Sequence, residues 1–248
     1  NKFIDLYSLR YDWMRELVNE TGKTDNDLKI TAQTKLNFEL FFATKEYWPV
    51  YNVFSGGRFS TYKDNKILFT TGYSNIKKAA QQLNSLLGKI ISINKLTSEH
   101  KIISMGHRNP QGLFYIKNLN IIINTEHGPK GGDEININFH PDNKIIENYG
   151  WPISSYGEHD DGKFRKEAPL HKSHKDYGFI EPIKYYTPSI AISEIVRIPI
   201  TFNEKFTNDF FIGALGYKEE MNEGDQSIHH IRFNENFDQI IFDKILFL

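Results

Sequence analysis

The chain has no cysteine among its 248 residues. Disulfide cross-links, thiolate metal sites and cysteine nucleophiles are therefore excluded. Neither sign of charge is in excess. The formal net charge is −1 and the pI about 6.8, which argues against nucleic acid as the main partner, because phosphate binding needs a concentrated basic face. The densest lysine run, Lys163 to Lys175, is broken by Phe164, Glu167 and Pro169 and reads as a solvated loop. No apolar run approaches the roughly 18 residues of a membrane span, and no signal peptide is present. There is no nucleophile elbow, P-loop, dinucleotide fingerprint or zinc-protease motif. Nor does a long amphipathic helix alternate with strands, which argues against a parallel α/β fold. The chain starts at Asn1 without a methionine and stops inside the apolar run Ile240 to Leu248, so it reads as a processed form or a fragment.

What is present is a series of short strand patterns. Leu28 to Thr44 alternates, with Ile30, Ala32, Leu36, Phe38 and Leu40 on one face, the period of a half-buried strand. Leu9 to Glu20 fits helix and strand equally. Gly57-Arg58-Phe59 leads through a turn at Lys63 to Lys66 into the buried-type run Ile67 to Gly72. Leu87 to Ile93 and Lys101 to Met105 follow. The pattern then recurs about 50 residues on, a spacing that marks propeller blades or solenoid turns: Asn109 to Phe114 matches Gly57 to Phe59, and Ile121 to Thr125 matches Ile67 to Thr71. A later copy pairs Asp209 to Leu215 with Ser227 to Phe233. The expected fold is all-β, a β-propeller forming one domain over 1–248, incomplete at one or both ends, with a long polar insertion between blades at about 156–186. A β-sandwich is the alternative.

The densest cluster of functional residue types runs from Gly106 to Pro152. Arg108 and Asn109, beside Pro110, suit an anionic, carbonyl-rich ligand through charge-assisted hydrogen bonds, or else tie down a turn. Gly128 and Pro129 lie among Glu126, His127, Asp133 and Glu134, an oxygen-rich loop of the kind calcium takes, or an acidic hairpin. His107 and His127 are candidate bases or ligands, or structural histidines; neither has metal-ligand spacing to a second histidine. His229 and His230 adjoin in a strand and so face opposite ways. Trp151 reads as core or rim packing.

Three segments, GHRNPQG at 106–112, TEHGPKGGDEIN at 125–136 and NYGWP at 148–152, resemble the soluble quinoprotein sugar dehydrogenases, the glucose/sorbosone dehydrogenase family, in order and spacing. SGGRF, LLGKIISI, YTPSIA and FIGAL also match, so the resemblance covers roughly Leu36 to the C-terminus. It implies a six-bladed propeller that binds pyrroloquinoline quinone (PQQ) and calcium and oxidises the anomeric hydroxyl of an aldose to a lactone, passing electrons to an external acceptor, in the periplasm or outside the cell. By that resemblance Arg108 and Asn109 hold the quinone carbonyls, with His127 beside the cofactor. The backbone carbonyls of Gly128 and Pro129 ligate the catalytic calcium, and Glu134 and Tyr149 match a second, structural calcium site. Three positions depart from the family pattern. The general-base histidine falls at Val53 or Phe54, leaving His107 or His127 as substitutes. An expected aspartate is Tyr73, and an expected lysine falls at Gly216, with Lys218 nearby. Loss of the base is the reason to consider a degenerate propeller that binds a sugar, a cofactor or a protein without turnover.

Overall fold

The computed structural model describes residues 2–9, 38–48, 54–202, 206–218 and 223–247. These fall into two compact units, divided after Val50. In the first, β1 (Lys2–Leu9) pairs antiparallel with β2 (Phe38–Trp48). The start of the expected alternating strand, and the ambiguous segment 10–20, lie outside the described residues. Within β2, Phe42 is buried but Leu40, expected on the buried face, is 59% exposed. The period-two pattern specifies which residues share a face, and here that face is not continuously covered at Leu40.

The second unit contains three antiparallel meanders. The first sheet comprises β3 (Gly56–Tyr62), β4 (Lys66–Thr71), β5 (Lys89–Asn94) and β6 (His100–Met105). The second comprises β7 (Pro110–Ile116), β8 (Ile121–Glu126) and β9 (Asp133–Asn138). The short strand β10 (Glu147–Asn148) then runs parallel to β6 and extends the first sheet, and β11 (Lys184–Tyr186) completes the second by pairing with β9. The third sheet has the order β12 (Ile192–Arg197), β13 (Asp209–Ala214), β16 (Ile228–Phe233) and β17 (Ile240–Phe247), with the small ribbon β14 (Gly216–Lys218) and β15 (Glu223–Asp225) between β13 and β16. Four-stranded meanders in succession are propeller blades, so the fold expected from the repeat is the fold found. The insertion is shorter than expected, because Lys184 to Tyr186 already belong to the second blade.

Burial explains why the central strands carry nearly continuous apolar runs. Leu68, Ile90 and Ile103 of the first blade pack against Leu113 and Ile122 of the second. Ile123, Ile135 and Ile137 pack in one cluster with Ile192, Ile195, Phe210 and Ile212 of the third. A blade covered on both faces cannot alternate with polar residues. Polar ties join the first blade to the second and to the third. Thr70 donates to the Pro110 carbonyl at 3.0 Å, and Arg58 pairs with Glu194 at 2.8 Å. These contacts hold fixed the loops that leave β6 and β8, where the candidate residues lie.

Candidate functional site

Strand β6 delivers the chain to Gly106, whose φ is +75° and where a Cβ would stand 2.1 Å from Asn148 Oδ1; only glycine makes this bend. The next residue, His107, turns into the core. Its Nε2 lies 2.8 Å from Ser104 Oγ and its Nδ1 3.0 Å from Glu126 Oε1, and its ring stacks on Tyr149 at 4.8 Å. Serine, histidine and carboxylate stand in the order of a nucleophilic chain, but Ser104 and His107 are wholly buried, so no substrate reaches them. The chain instead anchors Glu126. The other oxygen of Glu126 accepts the Arg108 backbone N–H at 2.8 Å, and Asn136 Nδ2 bridges Glu126 (2.8 Å) to Glu134 (3.2 Å). Burial pushes the Glu126 carboxyl up, but His107 and the Arg108 N–H outweigh it and hold the group below its usual range.

Arg108 points the other way, into a cage of rings. Its guanidinium lies 4.3 Å from the Phe54 centroid, 5.2 Å from Trp151 and 5.9 Å from Tyr73. Phe54 stacks on Tyr73, which meets Trp151 edge-on. One nitrogen donates to the His127 carbonyl at 3.1 Å; Nε is buried with no partner. Burial lowers the pKa of Arg108. Asn109 is more committed. Its Oδ1 accepts from Gly56 N (3.0 Å) and Gln111 (3.1 Å), and its carbonyl accepts from His127 N. His127 is half-buried, and burial pulls its imidazole below the usual value, so it is neutral at pH 7. Of the two substitute bases, His107 has both ring nitrogens engaged in the core, whereas His127 lines the cavity beside Arg108. Phe54 stands over Arg108; Val53 and the Lys218 side chain lie outside the described residues.

The loop from Gly128 to Gly132 is knotted by Asp133. One of its oxygens accepts from Gly128 N and Ser189 Oγ, the other from Ile190 N and Ile192 N, at 3.0–3.1 Å. Asp133 is thus saturated and holds the loop, and the Pro129 carbonyl accepts from Ser189 at 3.3 Å. Gly132, at φ +74°, would place a Cβ 2.2 Å from Gly157 N. Arg108, Glu126, His127, Gly128, Trp151 and His174 all line one cavity, whose enclosed part measures about 10 Å³. That is room for one water, so an organic ligand would lie across its mouth. The orphaned Nε, the ring faces and the half-buried Gly128 suit a planar, carbonyl-rich anion with a cation beside it. Among the described residues no group of three or more His, Asp or Glu side chains is arranged to hold a metal.

The second metal position does not fit. The Tyr149 carbonyl accepts from His174 Nδ1 at 3.0 Å, and Glu134 Oε1 lies 3.3 Å from His174 Nε2, off-line for a hydrogen bond. The Tyr149 hydroxyl donates to Glu147 at 3.0 Å. Sequence reasoning passed over His174, which sits in the polar insertion at no recognisable spacing from Glu134.

A propeller with a polar, arginine-centred cleft beside a glycine-rich carbonyl loop defines a class of protein, and comparison with known proteins gives it a name. Residues 19–241 match the model of the Glucose / Sorbosone dehydrogenase family. The chain belongs to that family. It is 31% identical over 177 residues to the aldose sugar dehydrogenase YliI of Escherichia coli, covering 66% of this chain and 46% of that protein. It is 27% identical over 194 residues to quinoprotein glucose dehydrogenase B of Acinetobacter calcoaceticus, covering 64% and 37%. The crystal structure of the E. coli soluble aldose sugar dehydrogenase in the apo-form superposes with a TM-score of 0.66 at 26% identity, over 85% of this chain and 59% of that one. The chain therefore spans about half the length of these relatives.

Proposed function

We propose that this chain contributes the central blades of a quinoprotein oxidoreductase. PQQ would bind at the Arg108 cleft, beside a calcium ion on the Gly128 and Pro129 carbonyls, and the reaction would be oxidation of the anomeric hydroxyl of an aldose to a lactone. The observation that carries this reading is the Arg108 guanidinium, buried among rings with Nε unpartnered, since a buried donor left without an acceptor costs roughly 1–3 kcal/mol. An anionic quinone would supply that acceptor. When bound, the cofactor serves as the two-electron oxidant, which an external acceptor then regenerates.

The protein's own tasks are binding, orientation and proton removal. Arg108 polarises a ligand carbonyl; Phe54, Tyr73 and Trp151 keep water from it; Asn109 holds the loops at Gly56 and His127 in place. The sugar hydroxyl must lose a proton, and neutral His127 is the group best suited to take it. A periplasmic or secreted location follows from the family.

A second reading, binding of a cofactor or sugar without turnover, is favoured by the residues at the position of the family's base, Val53 or Phe54, neither of which accepts a proton. Tyr73 holds its own, because burial raises its pKa and its hydroxyl donates to Asn75. Sugar-dependent dye reduction by the full-length protein, loaded with PQQ and calcium, separates the two. Turnover supports an enzyme working through His127; cofactor binding with no turnover supports the binding module.

A further inference from the structure

We infer that the His174 imidazole takes, from within the chain, the place that the family pattern would assign to a second calcium, so that Glu134 and the Tyr149 carbonyl bind no metal in this protein. The two oxygens stand on opposite edges of the imidazole. A carbonyl can only accept, so Nδ1 carries the proton of the 3.0 Å bond to Tyr149. Nε2 then faces the Glu134 carboxylate at 3.3 Å, and both residues are buried.

The ring is held there from several sides. Its backbone N–H donates to Glu181 at 2.9 Å, and Glu181 also accepts from the Lys175 N–H and the Tyr156 hydroxyl. Tyr156 stacks on the imidazole at 5.4 Å. Opposite, Gly150 at φ +92° leaves the space that the ring uses, since a Cβ there would lie 3.0 Å from Nδ1. His174 thereby pins the inter-blade insertion to the first and second blades, a linkage that a metal ion would otherwise make.

The test is equilibrium dialysis of the chelator-stripped, full-length protein against calcium alone, without quinone, on wild type, Glu134→Gln, His174→Ala and the double variant. Wild type and Glu134→Gln should bind equal amounts. His174→Ala, which vacates the space between two oxygens, should gain one equivalent that the double variant loses, and its melting temperature should rise with calcium. A calcium equivalent in the wild type that Glu134→Gln removes would overturn the inference, and that comparison stands even if His174→Ala fails to fold. No gain in a folded His174→Ala would overturn it as well.

Discussion

Arg108 spends one nitrogen on the His127 carbonyl and turns the rest of its fork toward three aromatic rings. A planar guanidinium presents its donors in a fixed fork that meets two acceptors in one plane, a geometry that an ammonium lacks. Arg108→Lys should therefore weaken PQQ binding about tenfold to a hundredfold, the loss of one or two charge-assisted bonds, as read by fluorescence titration. Phe54 tests the other half of the chemistry. If turnover is absent or slow, Phe54→His should raise sugar-dependent dye reduction by about two to four orders of magnitude, the usual contribution of a placed base. Arg108, Asn109 and Gly128 could be singled out in the sequence because their residue types suit the proposed chemistry. The cage was not, because Phe54 and Trp151 meet Arg108 only after two blades have folded. His174 was invisible for the same reason: its partners Glu134 and Tyr149 lie 40 and 25 residues away, with no shared motif.

The hairpin β7–β8 and its partner β9 show how a strand pair makes a site. Residues at the ends of these strands, Arg108 and Asn109 just before β7, Pro110 at its start and Glu126 at the end of β8, come together because register places Pro110 opposite Glu126. Asp133 then fastens the loop to the entry of β12 through four accepted bonds. Asp133→Ala should cost about 3–5 kcal/mol, since it strands several buried donors, and the loss should appear as a lower urea midpoint. Gly132→Ala should be destabilising by about 1–3 kcal/mol, from strain at positive φ and collision with Gly157. Strand positions were readable from apolar runs bounded by glycine, as at Ile67 to Gly72. The end of the insertion was not, because Lys184 to Tyr186 is a short mixed sequence whose strand state is set by pairing with β9.

Between the described blades, apolar faces pack together and a few polar joints tie them. One joint gathers Lys184 and Tyr186 of β11 and His229 of β16 around the Asp243 carboxylate of β17. Burial raises the Asp243 pKa, but the bonds from His229 and Lys184 outweigh it and bring the group down to about 2. A carboxyl depressed in the folded state stabilises above its unfolded pKa, near 3.9, and loses that stability as pH falls toward about 2. Asp243→Asn should cost about 2 kcal/mol at neutral pH and flatten the fall in stability between about pH 4 and pH 2, measured by denaturant melts across pH. The repeat of about 50 residues made the propeller legible, whereas joints such as this one depend on which side chains the blades bring face to face.

The cofactor site is the claim on which the functional account turns. Isothermal titration of PQQ into the full-length protein, with calcium and again with a chelator, tests it most directly. Binding in the micromolar range or tighter that is lost with the chelator and weakened in Arg108→Lys is the predicted result. Absence of binding by the folded protein in saturating calcium would contradict it, and would mean that the loop and arginine cage persist as scaffold.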